Sequence, residues 1–224
     1  MEDCTMSIAT ENFIKKVYQY EINEGFDSRP GSVAKSLGIS NAAVTDIARK
    51  LARKNLLIYE KYRELKLTDE GKKLALKVIR KHRLWETFLH EIFNLSLHEI
   101  HREAELLEHQ TSDFLADKIS QFLNNPLFDP HGDPIPTVKG EVSFDGENIT
   151  LTKTKEGTHY IITRLLSLDK ELFEFCSINN IKIGSKLTVN KQFAENKMTE
   201  VELYGKKLLL NKDFTKKIYV KEII

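Results

Sequence analysis

Cysteine is scarce in this chain, and several function classes are excluded by what is missing. The two cysteines, Cys4 and Cys176, lie far apart and form no metal-binding or redox motif. No apolar run reaches the roughly 18 residues needed to cross a bilayer, and Met1 to Thr10 carries acids where a secretory signal would be basic. The expectation is a cytoplasmic protein with no membrane partner. No HExxH sequence occurs, so the commonest zinc-hydrolase arrangement is absent.

Charge is balanced overall but not locally. The formal net charge is +1, yet residues 28–83 carry 15 basic and 5 acidic side chains, whereas residues 84–137 carry 2 basic and 10 acidic ones. A strongly basic segment followed by a strongly acidic one favours a polyanion-binding module beside a cation-binding module. The alternative interpretation is a pair of solvated charged faces.

The basic segment has the pattern of a winged helix-turn-helix. Apolar residues at helical spacing predict helices over 7–24 and 32–37, and a third helix begins after Ser40, which can cap it. Gly38 allows a tight turn between the second and third helices. After Asn55 two short apolar runs around a polar turn predict a small hairpin, the wing.

The rest of the chain predicts an α+β multidomain protein. Helices are expected over 68–93, 97–109 and 112–124, and their surplus of apolar positions predicts a homodimer formed through this helical part. Beyond residue 140, several short strands predict a small β-barrel. The predicted domains are a winged helix-turn-helix over 1–74, a helical domain with a connector over 75–140, and a barrel over 141–224.

Metal-ligand side chains recur at helical spacing on the two central helices. His82 and Glu86 are one turn apart, and a second set of four follows an i, i+4, i+7, i+8 pattern on one helix face, namely His101, Glu105, Glu108 and His109. Such faces can place imidazole nitrogens and carboxylate oxygens around one or two divalent cations. A single helical histidine is more often a core or surface residue, but the density of the set favours ligation. His131 and His159 are interpreted as structural or exposed.

These motifs resemble the diphtheria toxin repressor family of iron- or manganese-dependent bacterial repressors. The resemblance is carried by residues 80–84, 101–105 and 108–109 together with Ser112-Asp113, and by the later Pro130-His131-Gly132-Asp133-Pro134-Ile135-Pro136. It covers essentially the whole chain and implies a winged helix-turn-helix, a metal-binding and dimerisation domain, and an SH3-like (FeoA-like) C-terminal domain.

The resemblance implies two metal positions. One would use Glu105, Glu108 and His109 with Asn12, where relatives carry Met or Asp; the neighbouring Glu11 or a water is the alternative to Asn12. The other would use His82, Glu86 and His101 with an acid of the C-terminal domain, for which Asp169 is the first choice and Glu171 the second. Lys15 stands where some manganese-responsive relatives carry a ligating Glu, which argues against their closely spaced pair of ions. Glu105, where iron-type relatives often carry Cys, favours Mn²⁺ or Fe²⁺, and Co²⁺, Ni²⁺ or Zn²⁺ can bind such sites in vitro.

The DNA-binding residues are expected on the third helix and the wing. The N-terminal half of a recognition helix meets base edges, and basic residues further along suit phosphates. The predicted contacts are Ser40, Asn41, Ala43, Thr45, Asp46, Arg49, Lys50, Arg53, Lys61 and Arg63. The alternative for the basic residues is solvated helix surface.

The predicted function is a Mn²⁺- or Fe²⁺-responsive homodimeric repressor that binds a near-palindromic operator in double-stranded DNA and controls metal-homeostasis genes. Two alternatives stay open from the residues alone. One is a winged-helix regulator that works without metal and keeps vestigial ligands. The other is a metallohydrolase, although no nucleophile or general base is evident beside the cluster.

Overall fold

A computed structural model describes residues 6–23, 26–61, 63–142, 148–166 and 170–223 of the 224-residue chain. The expected α+β architecture is confirmed. The chain divides into two compact units. Unit one contains residues 1–82, 105–117 and 136–141, and unit two contains residues 83–104, 118–135 and 142–224. Among the described residues, no helix is both long enough and apolar enough to cross a membrane.

Unit one begins with a three-helix arrangement and a hairpin. The helices are α1 (Ile8–Ile22), α2 (Pro30–Leu37) and α3 (Asn41–Arg53), and the hairpin pairs β1 (Leu57–Ile58) with β2 (Lys66–Leu67). Ser7 and Ser40 cap α1 and α3 by accepting hydrogen bonds from backbone N–H groups, as their residue type predicts. Gly38 ends α2 in the left-handed conformation with φ of 64°. Helix, glycine turn, helix and wing therefore follow the predicted order.

Three further helices follow the wing. They are α4 (Asp69–Phe93), α5 (Leu97–Leu107) and α6 (Asp113–Phe122). Between α5 and α6 the chain tightens into a 3-10 turn, Glu108–Gln110. The sequence analysis placed Glu108 and His109 on one α-helix with His101 and Glu105; α5 instead ends at Leu107, and both residues lie in the 3-10 turn. The Thr111 hydroxyl donates to the Leu107 carbonyl oxygen at 2.7 Å, which satisfies an acceptor left over at the helix end.

The C-terminal part of unit two is a six-stranded antiparallel sheet, the β-structure of the predicted SH3-like domain. Its strands are β3 (Ile149–Thr150), β4 (His159–Leu165), β5 (Lys186–Phe193), β6 (Met198–Leu203), β7 (Lys206–Asn211) and β8 (Ile218–Glu222), in the order β3-β8-β4-β5-β6-β7. Two helices, α7 (Lys170–Ile178) and α8 (Lys212–Thr215), complete it. Alternating buried residues such as Leu187, Val189 and Val201 form one apolar core. The sequence analysis missed β7.

The connector before this sheet approaches β4 closely at Gly132. Its φ is 79°, and a Cβ there would lie 2.1 Å from the Thr163 carbonyl oxygen. Only glycine fits this combination of backbone conformation and contact.

Gly71, in the first turn of α4, allows an equally close approach to the wing. A Cβ at this position would lie 2.0 Å from the Leu56 carbonyl oxygen. Gly71→Ala should therefore destabilise the protein by about 1–3 kcal/mol through overpacking, although Gly→Ala within a helix normally stabilises. Urea denaturation followed by circular dichroism measures this change in the free energy of unfolding.

Gly31→Ala is the matched control for that measurement. Gly31 lies in α2, and its Cβ would meet nothing closer than Asn41 Oδ1 at 3.9 Å. This variant should be neutral or more stable by up to about 1 kcal/mol. Equal stability of the two alanine variants would contradict the packing argument.

Candidate metal centre

A cluster of charged and imidazole side chains is buried in unit one. We name it the Glu108 cluster; its members are Glu11, Lys15, His82, Glu105, Glu108 and His109. Glu11 and Lys15 come from α1, His82 from α4 and Glu105 from the last turn of α5. Glu108 and His109 come from the 3-10 turn, which aims two consecutive side chains into the cluster.

Glu108 is the centre of this arrangement and is only 1% exposed. Its Oε1 and Oε2 accept hydrogen bonds from Lys15 Nζ at 2.6 and 2.8 Å. Its Oε2 also lies 2.6 Å from His82 Nδ1. A buried carboxylate is costly unless cations and donors surround it, so these contacts are what make the burial of Glu108 possible.

His82 was assigned by the sequence analysis to the second metal position alone. Its Nδ1 lies 2.6 Å from Glu108 Oε2 and 3.9 Å from Glu105 Oε1. One donor atom from each of these three residues lies within 4.8 Å of the others. The assignment to a separate set was incomplete, because α4 brings the His82 imidazole close to Glu105 and Glu108, which belong to the first predicted set.

His109 has a carboxylate on each side. Its Nδ1 donates to Glu11 Oε2 at 2.5 Å, and its Nε2 lies 3.2 Å from Glu108 Oε1. With the proton on Nδ1, Nε2 presents a lone pair toward a carboxylate oxygen, and two such acceptors repel each other unless a cation lies between them. A carboxylate that accepts from the far nitrogen of a metal-ligating histidine is a recurrent device for fixing its orientation and tautomer.

Lys15 supplies the positive charge of the cluster. The side chain is buried, and burial by itself would lower the pKa of the ammonium. The negative charges of Glu108 and Glu105 and the hydrogen bonds to them outweigh that effect, so the pKa of Lys15 is raised. The neighbouring Lys16 lacks such hydrogen bonds, and burial lowers its pKa to about 8.

The donor set fits a divalent cation. The carboxylates of Glu105 and Glu108 and the His82 imidazole have donor atoms within 4.8 Å of one another, and the imidazole Nε2 of His109 lies 3.2 Å from Glu108 Oε1. The Lys15 ammonium offsets part of the negative charge. In addition, Asn12 Oδ1 is buried and has no hydrogen-bond partner among the residues described. A neutral carbonyl oxygen left without a donor is suited to a hard cation such as Mn²⁺.

A second group in unit two gathers around Glu86, whose side chain is fully buried in α4. Its Oε1 lies 3.0 Å from His101 Nδ1 and 3.3 Å from His131 Nε2. His131 is also fully buried and stacks on the Phe173 ring, so it is structural rather than exposed. Burial alone would lower the pKa of His131, but the Glu86 charge outweighs it and raises that pKa. His82 precedes Glu86 by one turn of α4.

The predicted C-terminal ligand Asp169 lies outside the described residues. Glu171, the second choice, lies in the first turn of α7 and is exposed. Cys176 is buried and its thiol pKa is raised by burial to about 12, so it is a poor metal ligand.

Most of the predicted DNA-contacting residues are exposed on α3 and the wing. On α3 the exposed side chains are those of Asn41, Asp46, Arg49, Lys50 and Arg53. Ala43 and Thr45 are half-buried, and the Thr45 hydroxyl donates to the Asn41 carbonyl oxygen at 2.9 Å. Ser40 is used as the cap of α3. Lys61 and Arg63 of the wing are exposed, and Arg63 pairs with Glu60 at 3.1 Å.

Comparison with known proteins covers most of the chain. Three family models match in succession. They are the iron dependent repressor N-terminal DNA binding domain over residues 5–65, the iron dependent repressor metal binding and dimerisation domain over residues 68–137, and the FeoA domain over residues 149–222.

Solved structures match over nearly their full length. The crystal structure of ScaR with bound Zn²⁺ is 32% identical, covers 96% of this chain and 99% of that one, and superposes with a TM-score of 0.85. The chain belongs to the diphtheria toxin repressor family. A second member, a manganese-dependent transcriptional repressor in complex with manganese, is 28% identical, with 96% and 100% coverage and a TM-score of 0.87.

Curated members of the diphtheria toxin repressor family match a shorter stretch. The HTH-type transcriptional regulator MntR of Lysinibacillus sphaericus is 37% identical over 82 residues, which cover 37% of this chain and 58% of the relative. The corresponding regulator of Bacillus subtilis strain 168 has the same identity over 82 residues and 57% coverage of its length. The chain thus spans less than two thirds of these curated relatives. The family is one of transcriptional repressors and not of enzymes, so the metallohydrolase alternative is not supported.

Glu11→Gln tests the role of the carboxylate beside His109. The amide keeps the size of the side chain but accepts more weakly from the His109 imidazole, so Mn²⁺ affinity should fall about 10- to 100-fold. Isothermal titration calorimetry measures the Mn²⁺ affinity. Glu91→Gln, an exposed site on α4, is the control and should bind as the wild type does. Unchanged affinity in Glu11→Gln would show that Glu11 does not orient a ligand.

Proposed function

We propose that this protein is a metal-dependent DNA-binding repressor of metal-homeostasis genes, activated by Mn²⁺ or Fe²⁺. The observation that carries the proposal is the Glu108 cluster, in which donors of α1 and α4 meet the carboxylates and imidazole of residues 105–109. The helix α1 also packs against α2 and β2 of the winged helix-turn-helix. A ligand that binds the cluster therefore acts on the helix that supports the DNA-reading elements.

The proposed first ligand set is Glu105, Glu108, His109 and the Asn12 carbonyl oxygen, with His82 beside them. The second set is His82, Glu86 and His101 with Asp169. A bound divalent cation would supply the positive charge that these carboxylates need in order to be held together. Oxygen and imidazole donors without a thiolate suit Mn²⁺ and Fe²⁺, and Co²⁺, Ni²⁺ or Zn²⁺ can occupy the same donors in vitro.

The proposed switch is a change in how firmly α1 is held against residues 105–109. Lys15 and Glu11 already join α1 to residues 105–109 by hydrogen bonds, and Asn12 stands on the same face of the helix. When the donors on both sides share one cation, α1 is held more firmly, and the recognition helix α3 is held with it. An effector can shift a conformational equilibrium only by its differential affinity for the two states. Such coupling typically changes the affinity for the second ligand, here DNA, by 5- to 150-fold.

A homodimer is part of the proposal. Described helices carry exposed apolar side chains that a monomer would leave in water, among them Phe93, Leu106, Phe114, Leu115 and Phe122. The matched metal-binding and dimerisation model covers these residues. Two recognition helices related by a twofold axis would match a near-palindromic operator in double-stranded DNA, with half-sites one helical turn or a multiple apart.

The proposal is tested by fluorescence anisotropy on DNA from upstream of a metal-transporter gene, with chelator, Mn²⁺ and anaerobic Fe²⁺ in parallel. Metal should raise the DNA affinity of the wild type by about 5- to 150-fold per effector. In His109→Ala this increase should disappear, while gel filtration still shows a folded dimer. His98→Ala is the control because His98 is exposed on α5, and it should behave as the wild type. Equal DNA affinity in chelator and in metal would favour the metal-independent regulator.

Arg49→Ala separates phosphate contact from base contact. Arg49 is exposed on the C-terminal half of α3, so its loss should weaken binding about equally on all DNA sequences and reduce the salt slope by about 1. Arg102→Ala removes the same charge from an exposed site on α5 and should change neither quantity. A sequence-selective loss in Arg49→Ala would instead assign it to a base edge.

A further inference from the structure

A cavity beside the first half of α4, within unit one, is lined mainly by cationic side chains. Four of them recur at i, i+4, i+7 and i+8 and therefore share one face of the helix, and the fifth comes from the connector. The two acidic side chains at the cavity, Asp113 and Asp117, belong to α6. We name this site the basic cavity; its cations are Lys73, Lys77, Arg80, Lys81 and Lys139.

The carboxylates offset only part of this positive charge. Lys73 pairs with Glu70 at 2.7 Å on the surface of α4, so the basic cavity keeps four cations against two acids. Asp113 Oδ1 lies 3.0 Å from Lys81 Nζ, and its Oδ2 lies 3.6 Å from Lys77 Nζ. Asp113 is exposed, so water screens both pairs and makes them weak. Like charges at helical spacing repel each other, so the set of cations destabilises α4 unless an anion joins it.

Arg80 is the buried member of the set. It is only 9% exposed, and the ion pair of its guanidinium is with the half-buried Asp117, with Nη2 3.0 Å from Oδ1. Its Nε is buried and has no hydrogen-bond partner among the described residues. Arg83, in unit two, differs because it lies beside two buried acids, Asp129 and Asp133. A buried charge needs such compensation, so Arg80 lacks negative charge on its cavity side.

We propose that the basic cavity is a binding site for a phosphate group. A guanidinium combined with ammonium groups is the donor set that proteins use for phosphate oxygens. The cavity measures about 280 Å³, which is below the range of roughly 300–1,000 Å³ for drug-sized ligands and suits a small oxyanion. A free phosphate ion and a DNA backbone phosphate share this chemistry. The site is separate from the Glu108 cluster and goes beyond the proposed function.

Isothermal titration calorimetry of the full chain in chelator with inorganic phosphate tests the site, with chloride at matched ionic strength as the reference. The wild type should bind phosphate saturably, and its melting midpoint should be higher in phosphate than in chloride. Lys77→Gln combined with Lys139→Gln removes two exposed cations of the basic cavity and should weaken phosphate binding about tenfold or more. Lys182→Gln combined with Lys186→Gln is the matched control, because both lysines are exposed in the sheet domain.

DNA titrations with Mn²⁺ present distinguish the two sources of the phosphate group. If the cavity receives a DNA backbone phosphate, the Lys77→Gln, Lys139→Gln variant should reduce the slope of log affinity against log salt by about 0.9. If the cavity receives a free ion, this slope should equal that of the wild type while phosphate binding is weakened. Either result supports a phosphate site and assigns its source.

The proposal is overturned if the cavity variant matches the sheet-domain control in both phosphate affinity and salt slope. Thermal melting in chloride establishes that each variant folds. Arg80→Met removes the buried charge at similar length and should abolish phosphate binding in the folded protein. The two-lysine variant decides the question even if Arg80→Met does not fold. Metal-dependent DNA binding by a chain without a phosphate site would leave the proposed function in place and overturn this inference alone.

Discussion

The arrangement of unit one depends on the burial of the Glu108 carboxylate. An ionised carboxylate away from water costs several kcal/mol unless cations and donors surround it. That requirement explains why Lys15 of α1 and His82 of α4 converge on the 3-10 turn, although both are far from Glu108 along the chain. Removing any partner would leave a buried charge uncompensated. The contact is therefore a strong constraint on where α1 lies relative to residues 105–109.

Unit two also buries acidic side chains, but there their partners are arginines. Asp129 and Asp133 of the connector are buried beside Arg83 and Arg164, with Arg164 Nε 2.5 Å from Asp133 Oδ1 and Arg83 Nη2 3.4 Å from the same oxygen. Burial and the neighbouring Asp133 and Glu86 charges raise the pKa of Asp129. In both units buried acids join segments that are distant in sequence. In unit one the balance of charge leaves room for a divalent cation, whereas in the connector the partners are arginines.

Local pattern was enough to predict most elements and the types of residue in the site. Helical apolar spacing predicted α1, α3 and α4, and capping chemistry identified Ser40 as the residue before α3. Strand β7 was missed because Lys206 and Lys207 followed by three leucines lack the clean alternation of a half-buried strand. The dense set of His and Glu residues was sufficient to propose a metal centre.

The partners within the site could not be predicted in the same way. Helix ends are poorly determined by local sequence: α5 ends at Leu107, two residues before the expected His109, so Glu108 and His109 lie in a 3-10 turn. The bonds of Lys15 and Glu11 span 90 residues or more, and no local pattern encodes them. The spacing of Glu11 and Lys15, one turn apart on α1, was the available signal that both face the same site.

Anomalous diffraction at the manganese edge, from crystals of the full chain grown with Mn²⁺, tests the central claim most directly. The account predicts an anomalous peak bounded by Glu105, Glu108 and His109, distinct from any peak at the second set, His82, Glu86 and His101. Manganese bound elsewhere in the chain with no peak in the Glu108 cluster would contradict it, because the buried acids would then be held by protein cations alone.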